Sequence, residues 1–270
     1  MPELPEVETI ARGLNHTVVG KTIQSVKIHL PKMALAPSGV RFAAALAGER
    51  IEGVGRRAKY VVMALGSGRK LVTSLRMTGR LVLQRPGEAD YPGTHVTLHY
   101  TDGTRLSFAD VRTFGRMRLV EPDDPWDADL GVEPLSPGFT QQGFIGMLSG
   151  RTTPIKTLLL DQRRIAGIGN IYACEALWVA GIRPGRPAKA LTKPATLRLY
   201  HAIRDVLSRA TEMRGSSIDD YVDAEGLRGG FQNVLSVYGK LGEPCPRCGK
   251  PIVRTVIAQR GTWWCRNCQR

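Results

Sequence analysis

The sequence predicts an α+β chain of two domains: a strand-rich first half, a helical second half and a short cysteine-bearing tail. Three observations carry that expectation. Short runs of alternating apolar residues recur evenly between about residues 22 and 120, the pattern of a β-sandwich or barrel. A stretch rich in Pro, Gly and Asp, EPDDPWDADLGVEPLSPGF (121–139), then reads as a hinge. Beyond it the apolar period becomes helical, until a turn-rich tail that holds four of the five cysteines.

Residues 3–14 (ELPEVETIARGL) read as a helix with Val7, Ile10 and Leu14 on one face. The opening MPELPEVETI is unusual in a basic protein. Pro2 suits a first helical position and the glutamates complement the helix dipole, or the terminus is itself a reagent. KTIQSVKIHL, KYVVMAL, KLVTSLRM and RLVLQ read as strands, and GVRFAAALAG as a short helix. HVTLHY-TDG-TRLSF is a hairpin turning at Asp102-Gly103. Thr192 caps a helix with Leu199, Ile203, Val206, Leu207 and Ala210 on one face, ending near Gly215. GIGNIYACEALWVAGI places Ile171, Cys174, Leu177 and Trp178 on one side of another helix. The expected partition is 1–130, a linker over 131–138, a helical domain over 139–235 and a cysteine module over 236–270.

The 38 Lys and Arg against 24 Asp and Glu, a net charge of +14, favour a polyanionic partner, and nucleic acid first. No uncharged apolar run approaches ~18 residues, so no membrane partner is expected. No basic segment followed by an apolar one marks a secretory signal, so a cytoplasmic location is expected. In that compartment cysteines serve as thiols or metal ligands.

Cys245-x2-Cys248-x16-Cys265-x2-Cys268 supplies four thiolates at the spacing of a tetrahedral structural zinc. All four positions come from protein, so none remains for an activated water. TVIAQRGTWW reads as a hairpin whose tip carries Arg260. From residue 240 onward there are seven basic residues and one acid, Glu243, which suits phosphate. Cys174 falls on an apolar helix face and reads as core. PIKTLLLDQRRIAGIGNIYACEAL reads as two helices joined by an extended double turn. Asn170, after Gly167 and Gly169, opens the second helix as an anion site or a plain N-cap. Arg151 and Lys156 lie just upstream and are expected to contact the DNA phosphate backbone at the same place as Asn170. The GIG triplet lacks the strand context and third glycine of a dinucleotide fingerprint.

PELPEVET, RRAKY around Lys59, DVRTFGR around Arg112, GIGNIYA around Asn170 and IAQRGTWWC with the four cysteines occur in this order. Together, and nearly end to end, they resemble the formamidopyrimidine-DNA glycosylase/endonuclease VIII family. PELPEV favours the branch that excises oxidised purines, with the pyrimidine-preferring endonuclease VIII type as the alternative. The resemblance implies an N-terminal β-sandwich with flanking helices, a helix–two-turns–helix domain and a zinc finger with one structural Zn2+. It implies a double-stranded DNA partner crossing a cleft between the lobes; a cleft that must wrap a duplex suits a monomer, and the substrate sets the expected place at the bacterial nucleoid.

The implied roles fall on named residues. With Met1 removed, Pro2 is the Schiff-base nucleophile, Glu3 the acid and Glu6 an electrostatic support. An α-amine of pKa ~7.7–8.0 is neutral in about one molecule in seven near pH 7, against about one in 2,500 for an ordinary lysine. A secondary amine gives an iminium that keeps its positive charge as an electron sink. Lys59 serves β-elimination, and Arg260 contacts phosphate and assists δ-elimination. Met77, Arg112 and Phe114 fill the void left by an extruded base, and His95 contacts DNA. Two positions depart from the family pattern: Ser74 replaces a frequent histidine and Thr113 a frequent second arginine. Residues 223–235 correspond to the loop that caps the flipped base in relatives. A non-enzymatic zinc-dependent nucleic-acid binder is the competing reading, and it has no need of Pro2 followed by Glu3.

Overall fold

A computed structural model describes residues 1–217 and 227–270. The loop expected over 223–235 therefore lies partly outside the described residues. The chain packs as two compact units. One comprises Met1–Ala128 and Met213–Gly230, the other Asp129–Glu212 and Phe231–Arg270.

The first unit opens with α1 (Leu4–Val18), followed by β1 (Ile23–Ile28), β2 (Ala34–Leu35), α2 (Phe42–Leu46), β3 (Ile51–Arg57) and β4 (Tyr60–Leu65). Then come β5 (Lys70–Ser74), β6 (Gly79–Gln84), β7 (Thr94–Tyr100), β8 (Arg105–Asp110) and β9 (Arg116–Val120). They form a four-stranded sheet of order β1-β7-β8-β6 and a five-stranded sheet of order β2-β9-β5-β4-β3. One apolar core takes Val96, Leu98, Leu106 and Phe108 from the first sheet and Val61, Met63, Leu71 and Leu119 from the second. Val7, Ile10 and Leu14 of α1 enter the same core. This is the expected sandwich: β4 alternates between buried and half-buried residues, β5 and β8 are buried on consecutive residues, and the apolar face of each sheet is covered by the other. The β7–β8 turn falls at Asp102-Gly103, where Gly103 takes φ +84° and Asp102 accepts the Thr104 N–H at 3.0 Å.

The second unit contains α3 (Gln141–Leu148), α4 (Ile155–Leu160), α5 (Asn170–Ala180), α6 (Lys193–Glu212), β10 (Val253–Ile257) and β11 (Arg260–Trp264). Thr192 caps α6 as expected, accepting the Ala195 N–H at 3.4 Å. α5 differs from the one-sided helix of the sequence reading. Eight of its eleven residues are buried, including Tyr172 and Glu175, because α4, α6 and β11 all pack on it. Gln162 shapes the double turn before α5: its Nε2 donates to the Leu160 and Ile168 carbonyls, and its Oε1 accepts from Gly167 N–H. Glu175, 3% exposed, accepts the N–H groups of Ser236, Val237 and Tyr238 at 2.8–2.9 Å and so fixes the entry to the cysteine module. Burial pushes its carboxyl above the usual range even though those three N–H groups pull it down.

Candidate functional site

In the first unit the site is organised around the start of α1. Glu3 is the N-cap and Glu6 occupies the third helical position, forming the capping box of an acidic N-terminus. Both carboxylates are buried, Glu3 to 3% and Glu6 to 1% exposure. Glu6 Oε2 accepts the Glu3 N–H at 2.8 Å, and its Oε1 accepts the Ser216 N–H at 2.7 Å. Glu6 therefore clamps the backbone beside Pro2 to a segment more than 200 residues away. Gly215 makes this approach possible, because a Cβ there would stand 2.7 Å from Glu6 Oε1. Sequence reasoning missed Gly215 and Ser216, which carry no local signal beyond a helix C-terminus.

Lys59 lies in the β3–β4 turn, not at the start of a strand. Ala58 takes φ +52° to close that turn. The turn is tied to α1 through one guanidinium: Arg56 donates to Glu8 Oε2 at 2.9 Å and to the Ala58 carbonyl at 3.0 Å. Burial pushes the Glu8 carboxyl up, but Arg56 and Arg12 more than offset it and hold it below the usual range. The helix that begins at the terminus thus fixes the turn that presents Lys59.

Met77 and Phe114 stand 42% and 52% exposed, and Arg112 joins them. Its guanidinium lies 3.1 Å from Met77 Sδ and 5.0 Å from the Phe114 ring centroid. The three residues form one preassembled cluster on two neighbouring loops. His95 directs Nε2 to the Asp110 carbonyl at 2.9 Å. Thr113 accepts a hydrogen bond from Lys32 at 2.9 Å, so a cation stands beside the position where relatives often carry arginine.

In the second unit Asn170 is the first residue of α5, and Gly169 is the N-cap. The N-cap alternative for Asn170 is thereby removed. Its amide instead faces the β10–β11 hairpin, donating to the Gly261 carbonyl at 3.0 Å and accepting from Lys156 at 2.6 Å. Lys156 departs from the expected backbone contact. It is 0% exposed, and its ammonium donates to Asn170 Oδ1, the Gly261 carbonyl (3.2 Å) and Thr262 Oγ1 (2.6 Å). Its charge is met by neutral acceptors on α5 and the hairpin, so Lys156 docks the hairpin on α4 and α5. Lys156→Met is expected to lower the stability of the second unit by about 3 kcal/mol, since it orphans buried acceptors. Denaturant melts check this, and an unchanged midpoint would refute the docking role.

The hairpin tip is Ala258-Gln259, both at positive φ, and Arg260 opens β11 directly after it. Arg260 lines a concavity of about 380 Å³ together with Arg151, Arg164, Thr153, Thr157 and Asp161. Three arginines against one aspartate make it a cationic cradle suited to phosphate. The four module cysteines place their sulfurs within 4.8 Å of one another, with Cys245–Cys268 at 3.9 Å and Cys248–Cys265 at 3.5 Å. A tetrahedron with Zn–S of about 2.3 Å has edges of about 3.8 Å, so the set fits zinc. Burial and the neighbouring sulfurs push Cys268 up to about 12, the penalty for gathering thiolates that a dication removes. Cys174 is wholly buried beside this module and burial pushes its thiol up to about 11, as its reading as core requires.

The chain matches three family profiles: the formamidopyrimidine-DNA glycosylase N-terminal domain over residues 1–117, the formamidopyrimidine-DNA glycosylase H2TH domain over 130–222, and a zinc finger found in FPG and IleRS over 242–270. It is 48% identical to the formamidopyrimidine-DNA glycosylase of Chloroflexus aggregans, covering 100% of this chain and 98% of that protein. It superposes on the crystal structure of the MutM (Fpg) protein of Thermus thermophilus with a TM-score of 0.90 at 44% identity, covering 99% of this chain and 98% of that one. A Lactococcus lactis Fpg mutant, solved in complex with DNA containing Fapy-dG, gives a TM-score of 0.94 at 37% identity over 100% of both chains.

Proposed function

The chain belongs to the formamidopyrimidine-DNA glycosylase family and is a base-excision-repair glycosylase with abasic-site lyase activity, and we propose that Pro2 is its nucleophile. The observation that carries this reading is the N-terminal turn. A proline at residue 2 adjoins a carboxylate only 3% exposed, on a backbone held by Glu6.

With Met1 removed, the Pro2 nitrogen attacks C1′ of the damaged nucleoside as the bond to the base breaks. Glu3 delivers the proton to the sugar ring oxygen or to the departing base. The resulting iminium withdraws electrons, Lys59 serves β-elimination at C3′, and δ-elimination at C5′ follows with Arg260 holding phosphate. Glu6 acts as a positioning residue, because both of its oxygens are engaged by backbone N–H groups. Met77 and Phe114 wedge into the stack vacated by the base, and Arg112 bonds the orphaned cytosine. His95, Arg151 and Asn170 serve the DNA backbone, the last with its amide oriented by Lys156. The structural zinc on Cys245, Cys248, Cys265 and Cys268 folds the hairpin that presents Arg260.

The partner is DNA, and 8-oxoguanine opposite cytosine and formamidopyrimidines are the proposed lesions. Among the described residues no helix is long and apolar enough to cross a membrane. We place the protein in the cytoplasm, at the nucleoid, as a monomer. Borohydride is expected to trap it covalently on a duplex containing 8-oxoguanine opposite cytosine. That lesion should be excised at least about tenfold faster than thymine glycol, the discrimination a single well-placed hydrogen bond supplies. No trapping would favour the non-enzymatic binder, and faster release of thymine glycol would reassign the lesion class.

A further inference from the structure

Asp110, the last residue of β8, is 1% exposed, and all its polar atoms are engaged. Oδ1 accepts from the Thr78 hydroxyl and from Arg112 N–H (3.2 Å), and Oδ2 accepts from Gly115 N–H (2.7 Å). The carbonyl takes His95 Nε2 and the Thr113 N–H, and the amide donates to Gly93. One carboxylate thus joins the loop carrying Met77 to the loop carrying Arg112 and Phe114.

Both loops need such a tie. Arg76 and Thr113, each beside a wedge residue, sit at φ +52° and +54°, conformations that cost a non-glycine residue energy unless its surroundings enforce them. Gly79 and Gly115 permit the close approach: Cβ atoms there would lie 2.4 Å from the Leu75 carbonyl oxygen and 2.7 Å from Phe108 Cζ. An apolar wedge separates stacked bases only if its loop resists the reaction force. Otherwise Met77 and Phe114 would fold back onto the surface and cover themselves.

We propose that Asp110, with Thr78 as its partner, is a positioning residue for base extrusion, stiffening the two wedge loops against each other. This rests on the glycosylase reading. The test compares wild type, Asp110→Asn and Thr78→Val on two substrates. One is a duplex with 8-oxoguanine opposite cytosine. The other is single-stranded DNA with a preformed abasic site, which needs no extrusion.

Asparagine would turn an N–H2 toward backbone donors. The ratio of duplex excision to single-strand trapping should therefore fall about tenfold in Asp110→Asn, and about threefold in Thr78→Val. The fluorescence rise of 2-aminopurine beside the lesion should slow in parallel. A ratio equal to wild type, with both activities kept or both lost together, would overturn the inference. Wild type that traps on neither substrate would instead overturn the glycosylase reading, and this inference with it.

Discussion

Chains that carry an N-terminal extension blocking removal of Met1 are expected to bind lesion-bearing duplex yet form no borohydride-reducible complex, with excision slowed at least about a thousandfold. While Met1 is attached, the Pro2 nitrogen is a tertiary amide whose lone pair is delocalised, and it can neither attack C1′ nor form an iminium. Met1 is 36% exposed whereas Pro2 is buried, so an extension leaves the core intact and adds bulk where the sugar must approach. Pro2→Gly in a processed chain separates amine from ring. It restores a primary amine whose imine can lose its proton, and trapping should be reduced without being abolished. Intact mass of the reduced complex reads both points, since it reports the loss of Met1 and the added DNA. Undiminished trapping by the extended chain would move the nucleophile elsewhere, with Lys59 the first candidate.

The residues from which this chemistry is proposed stand out in the sequence because their signals are local. Proline at residue 2, a carboxylate beside it and paired C-x-x-C knuckles are contiguous patterns, and the sandwich shows in strand alternation. What stayed hidden is what the fold brings together over long separations. Glu6 meets Ser216, Arg56 bridges Glu8 to the turn of Lys59, and Asp110 meets Thr78. None of these pairs has a periodicity or a motif of its own. Lys156 shows the opposite error. In the sequence it is one more cation beside a phosphate clamp, and only packing reveals that its three donors face protein. Charge in a basic protein suggests contact with DNA by default, and burial is what decides.

Stripping zinc should produce the second large effect, confined to the second unit. A module of about 30 residues buries too little to fold alone, and zinc binding of about 10–16 kcal/mol exceeds anything its few core contacts supply. Its core is Cys174, Val237, Cys245, Ile252 and Cys265, so two of the five are metal ligands. Once the hairpin melts, Lys156 loses Gly261 and Thr262 and Asn170 loses Gly261, while Arg260 leaves the concavity it shares with Arg151 and Arg164. Duplex affinity should fall at least about tenfold and the salt slope by about one contact or more, because phosphate-facing cations are removed. The four tryptophans make this visible. Trp178 donates to Cys245 Sγ at 3.4 Å and Trp263 and Trp264 lie in β11, so three of the four belong to the unit that holds the metal, and Trp126 belongs to the first unit. Fluorescence should therefore follow zinc occupancy, while the strand signal of the first unit persists in circular dichroism. Cys248→Ser should reproduce the change without a chelator. Metal-free protein with native fluorescence and undiminished duplex affinity would show that the hairpin does not depend on its metal, and would detach Arg260 from the zinc.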